Sequence, residues 1–152
     1  LEILGRNVVM VHGDQHLGAL VRHGVDDWED GPIGFMVPGN ANGFPRAWWP
    51  EESGDNRQPG DPYWTGRYLD DLGNRMTVLA VANPEKGSNL IPKGSQDPES
   101  IGHQKGSGHG LLKFNRKNGK VTFETWRLQF DAANPKEGDQ FEGFPKTLKL
   151  KD

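Results

Sequence analysis

The apolar runs of this chain are short, and each is closed by a glycine or a proline. Val8-Val9-Met10-Val11-His12 stops at Gly13, Ile33-Gly34-Phe35-Met36-Val37 at Pro38-Gly39, and the run from Asn74 to Asn83 at Pro84. Runs of this length, rich in β-branched residues and bounded by turn formers, are the pattern of strands. The chain has 152 residues, enough for one domain, but with 21 Gly and 11 Pro, 33% hydrophobic residues and a mean hydropathy of −0.78 much of it must be turn and loop around a modest core. Five Trp and seven Phe partly offset this, because each aromatic side chain buries a large area.

The first run carries the chemistry. It is followed by Gly13-Asp14-Gln15-His16, a carboxylate and an imidazole two residues apart just beyond a strand end. Ligands gather outside the carboxyl ends of strands in open α/β sheets. Gly13 lets the chain turn with no Cβ in the way, so Asp14 and His16 read as half of a metal site. A carboxylate beside a neutral imidazole suits divalent ions, and a carboxylate in place of a second histidine favours harder ones such as Mn, Ca or Fe. His12 reads as a strand residue supporting that site. A parallel strand needs partners, and this run starts so near residue 1 that the chain is expected to be a segment of a longer domain.

Two weaker candidates follow. Asn40 and Asn42 lie just past the second run, where their amides either approach a substrate or only supply turn hydrogen bonds. Arg46, beside Trp48 and Trp49, either clamps a phosphate bidentately or stacks on those tryptophans. The glycine-rich stretch from Gly102 to Gly110, with His103 and His109, lacks the strand-then-helix context of a phosphate loop and reads as the start of a strand. None of the serines stands in a nucleophile-elbow pattern.

Residues 43–66 and 85–108 read as long loops. The first holds Trp48, Trp49, Tyr63 and Trp64, which argues for order. Leu17 to Val25 is compatible with a short helix or a strand, weakened by Gly18 and Gly24. Residues 109–128 read as a hairpin around Asn118-Gly119, the pair that suits a type I′ turn. No internal repeat is present, and the tail from Asp131 is polar. The net charge of −3 gives no footprint for a nucleic-acid scaffold or an anionic membrane. The lack of cysteine excludes disulfides and thiolate metal sites, and no apolar run approaches the roughly 18 residues of a membrane span.

Taken together, Val8-Val9-Met10-Val11-His12-Gly13-Asp14-Gln15-His16 resembles the last metal-binding motif of the calcineurin-like metallophosphoesterases, a strand followed by Gly-His-x-His. Aspartate in place of the first histidine is similar to the PhoD-like (alkaline phosphatase D) branch. Residues 30–39, 72–84, and Gly108-His109-Gly110 leading into 121–126 resemble further segments of the C-terminal part of that family, so the likeness covers most of the chain. The resemblance implies an α+β fold, predominantly β with long loops, forming the C-terminal portion of a four-layer αββα sandwich, with 1–152 as a single segment of it. It further implies hydrolysis of phosphate mono- or diesters at a dinuclear centre of divalent or trivalent ions, Fe, Ca, Mn and Zn not being distinguished. Asp14 and His16 would be metal ligands, and Asn40 and Arg46 are candidates for substrate. The family's earlier motifs, Asp-x-His, Gly-Asp, Gly-Asn-His and a lone histidine, are not in this chain. The expected partners are therefore the N-terminal remainder of the same domain and a phosphate ester, and the chain by itself is expected to be inactive. A periplasmic or secreted location follows from the resemblance alone. The rival reading is a noncatalytic carbohydrate-binding or interaction module that uses the loop tryptophans, whose rings could stack on sugars.

Overall fold

The computed structural model describes residues 8–40, 43–88, 102, 104–131 and 133–150. Eight strands run in the order β1 (Val9–His12), β2 (Gly18–His23), β3 (Ile33–Met36), β4 (Gly66–Leu69), β5 (Arg75–Ala82), β6 (Gly108–Asn115), β7 (Lys120–Arg127) and β8 (Lys146–Lys149). They form a five-stranded sheet in the order β1-β3-β2-β5-β4 and a three-stranded sheet in the order β6-β7-β8. Among the described strands only β1 and β3 pair in parallel; the other pairs are antiparallel.

This corrects the expected architecture. The described residues are nearly all strand and loop, in two sheets, and do not build a helix-containing αββα sandwich. The physical reason lies in the connections, where glycine, proline and short polar residues interrupt any 3.6-residue apolar period. The faces that helices would cover are covered otherwise. Leu20, Ile33, Phe35 and Ala80 on one face of the larger sheet meet Val121 and Phe123 of β7 in a fully buried cluster. The opposite face carries Ala19, Val21, Val78 and Val81, over which Trp64, Trp48 and Tyr68 pack from the 43–66 loop and β4.

β1 also departs from expectation. A buried parallel strand is apolar on both sides, but β1 is half-buried at Val9 and exposed from Met10 to His12. It lies at the end of the sheet order, paired through β3 alone among the described strands. The ambiguous segment after it is strand β2, whose first four residues are buried. A bulge between Leu20 and Val21 shifts its register against β5.

Turn chemistry fixes the connections. Between β2 and β3 the Asp30 carboxylate accepts the backbone N–H groups of Val25, Asp26 and Asp27 at 2.7–2.9 Å. These bonds, that from Val25 foremost, hold its pKa below the ordinary carboxylate value. Asp70 plays the same part between β4 and β5, accepting from Leu72 and Asn74. The β6–β7 hairpin closes through residues 116–119, since Asn115 pairs with Lys120. Gly119 takes a positive φ of 64° while Asn118 does not, so the closure is a four-residue loop with one left-handed residue and not a type I′ turn.

The sheets are locked where β6 crosses the larger sheet. A Cβ on Gly110 would stand 2.7 Å from Val37 Cγ1 and 2.9 Å from the Phe35 ring, so only glycine permits this approach. Beside it the Phe35 and Phe123 rings meet edge to face, with centroids 5.3 Å apart. Phe123→Ala should destabilise the protein by about 3–5 kcal/mol, measured by urea denaturation, because it leaves a cavity that both sheets line. Asp30→Ala should lower Tm at neutral pH. A carboxyl whose folded pKa is depressed stabilises fully above its unfolded pKa and loses that contribution as pH falls through the folded value. The Tm difference between wild type and variant should therefore shrink on acidification through that window, and a difference independent of pH would refute the role of the ionised carboxylate.

Candidate functional site

Parallel pairing puts the C-terminal ends of β1 and β3 side by side, with His12 opposite Met36. The loops that leave these two ends are therefore neighbours. From β1 the chain passes through Gly13 to Asp14 and His16, both in left-handed backbone with φ of 64° and 54°. For residues with a Cβ this conformation is costly, although Asp and His visit it more often than most. Both side chains lie on the exposed surface.

Three hydrogen bonds tie this loop to the one following β3. The His16 ring donates from Nδ1 to the Phe44 carbonyl at 2.8 Å. The Arg46 N–H donates to the His16 carbonyl at 3.0 Å, and the Arg46 guanidinium to Gln15 Oε1 at 3.2 Å. The first bond decides the chemistry of the ring. A carbonyl only accepts, so Nδ1 carries the proton and the lone pair of the neutral imidazole is on Nε2, the arrangement in which metal-binding histidines are commonly held.

A third segment braces the second. Gly108 donates its N–H to the Gly39 carbonyl at 3.0 Å. Lys105, only 5% exposed, extends its ammonium to the Gly43 carbonyl at 3.0 Å. Lysine is seldom buried this far without polar partners, and here the ammonium donates to the carbonyl next to the one that holds His16. Three stretches distant in sequence thus meet at one end of the β1·β3 pair.

Each expected residue can now be placed. His16 and Arg46 come together in this arrangement, with Asp14 exposed on the same loop two residues before His16. Asn40 lies exposed at the start of the loop after β3, one residue past Gly39; Asn42 and His103 lie outside the described residues. As a metal site the pair supplies two donors of fitting chemistry, while an ion takes four or more. Among the described residues no group of three or more His, Cys, Asp or Glu side chains is placed to hold a metal.

The loop tryptophans serve packing. Trp48 meets Tyr68 edge to face, with centroids 5.2 Å apart, and its indole donates to the Trp64 carbonyl at 3.1 Å. Trp49 stands edge-on to the buried Trp64 ring. The buried Asn83 at the end of β5 grips the Trp48 backbone from both sides, its amide oxygen accepting at 2.8 Å and its nitrogen donating at 3.0 Å.

Lys105, Asn83 and His23 carry roles that sequence spacing does not reveal, because the partners of the first two are 35 or more residues away and His23 reaches His12 across the intervening strand β3. The one local hint is composition: a lysine in a glycine-rich approach to a strand and an asparagine just before the proline that ends one. His23 is half-buried on β2, and its pKa lies below the usual imidazole value through burial first and then through His12.

The chain matches no protein-family model, no curated protein and no solved structure. No helix among the described residues is long and apolar enough to cross a membrane.

If Lys105 braces the loop that holds His16, Lys105→Met should loosen it without moving the strands. Hydrogen exchange at the Arg46 amide is expected to accelerate at least about tenfold while the β5 amides stay protected. Unchanged exchange at Arg46 would show that the brace is dispensable.

Proposed function

We propose that this chain contributes the final ligand pair of a metal-dependent phosphoric ester hydrolase of the PhoD-like type, with Asp14 and His16 each donating to an ion. The observation that carries the reading is the His16 ring, whose Nδ1 proton is committed to the Phe44 carbonyl, so that its lone pair is on Nε2 two residues from an exposed carboxylate. The motif resemblance of residues 8–16 supports it, as does the left-handed backbone at both positions, since such conformations cluster at functional sites.

A metal pair held there would supply Lewis-acid chemistry for a phosphate ester and for water. The residues of this chain would serve it as follows. Asp14 supplies a hard oxygen donor and His16 a nitrogen whose direction is fixed by the Phe44 bond. Arg46, anchored to Gln15 beside them, lies where its guanidinium can neutralise charge on a phosphate ester. On this reading the remaining ligands would come from outside the described residues.

Asp14→Ala and His16→Ala, each introduced into the protein with its complete catalytic domain, should abolish metal-dependent hydrolysis of 4-nitrophenyl phosphate and bis(4-nitrophenyl) phosphate. Loss of two or more orders of magnitude in kcat/KM is expected from each. Activity retained in both variants would rule the reading out.

A further inference from the structure

β3 runs between β1 and β2, and its residue 34 is a glycine that Met10 flanks on one side and Val21 on the other. Two imidazoles lean over it. His23 Nε2 lies 3.0 Å, and His12 Nε2 3.6 Å, from the point where a Cβ on residue 34 would stand. The rings come from opposite diagonals, since His12 is in register with Met36 and the His23 N–H bonds the Pro32 carbonyl. Residues 10 and 12 share a face of β1, so Met10, directly beside Gly34, is on the same side as His12. No hydrogen bond to either ring is present among the described residues.

We infer that His12 and His23, converging over Gly34, form a binding site for a first-row transition ion that favours imidazole nitrogen, copper before zinc or nickel. Imidazole binds these ions at about 2.0–2.1 Å for zinc, and two nitrogens within 3.6 Å of one point need only modest side-chain rotation to share an ion. Copper heads the order because divalent copper has the highest affinity for nitrogen donors in the first row and because Met10, in register with Gly34 on the same face, carries a soft thioether. The residue beneath has to be small: a side chain at 34 would occupy the space where the nitrogens meet. This donor set contains neither Asp14 nor His16 and does not depend on the phosphoesterase reading.

The test is a titration of the 152-residue chain with Cu(II), followed by electron paramagnetic resonance and by competition with a chelator of known affinity. Wild type should bind one ion with nitrogen hyperfine structure from imidazole ligands. His12→Asn and His23→Gln should each weaken binding at least about tenfold, and the double variant Asp14→Ala/His16→Ala should leave it unchanged. Because the His12 side chain is exposed, His12→Asn should melt at the wild-type temperature, which separates loss of a ligand from loss of the fold. Affinity within twofold of wild type in both histidine variants, or binding abolished by Asp14→Ala/His16→Ala alone, would overturn the assignment.

Discussion

The contact on which most of this structure depends is the meeting of Phe35, Phe123 and Gly110 between the two sheets. Two phenylalanine rings with no exposed surface, packed edge to face, bury several hundred square ångströms of apolar area on the order of 150–250 Å² each. The missing side chain at Gly110 lets β6 approach Val37 and Phe35 closely. That closeness places the start of β6 against the loop leaving β3, so Gly108 reaches Gly39 and Lys105 reaches Gly43. Phe44, the next residue, holds the His16 ring. A core contact between the sheets therefore bears on the His16 ring through the loop that leaves β3.

The energetics of the Asp14–His16 loop explain why it needs that support. Two left-handed residues cost about 1–2 kcal/mol each. Three hydrogen bonds to Phe44 and Arg46 return about 0.5–1.5 kcal/mol each. These terms nearly cancel, so the loop holds its shape only while its partner loop is itself anchored. The buried ammonium of Lys105 and the Gly108–Gly39 bond provide that anchor from the smaller sheet. A site whose local terms balance in this way responds sensitively to distant changes in packing.

How much of this could be read from the sequence follows from how local each determinant is. The strands at Ile33–Met36 and Arg75–Ala82 were legible because each is a compact apolar run with its own stop signal in Pro38-Gly39 or Pro84. β4 and β8 were not. Gly66–Leu69 and Lys146–Lys149 are four residues each, mixed polar and apolar, and they form because β5 and β7 present edges for pairing. The hairpin position was readable from Asn118-Gly119, but its closure was not, since the loop is set by the pairing of Asn115 with Lys120. The helices implied by family resemblance failed for the converse reason: nothing in the connecting segments themselves favours a helix. Asp14 and His16 were legible because both belong to one short motif. Lys105, Asn83 and the approach of His12 to His23 depend on sheet order, which no spacing along the chain encodes.

β1 and the loop that follows it thereby carry two sets of candidate donors under different physical control. His12 stays within β1, in register with Met36, and its relation to His23 is fixed by the order β1-β3-β2 and by the absence of a side chain at residue 34. Asp14 and His16 lie past Gly13, outside the ladder, where backbone conformation and loop contacts set their geometry. A sheet register is discrete, because a slip of one residue would send every side chain to the opposite face. A loop adjusts continuously. The histidine pair is accordingly either present or absent with the fold, whereas the geometry at His16 follows that of the loop holding Phe44 and Arg46. The boundary between ladder and loop falls at Gly13, where an added Cβ would meet only Val37 Cγ2 at 3.9 Å, so the turn the sequence assigns to a glycine is not a steric requirement and the left-handed residues are Asp14 and His16 instead.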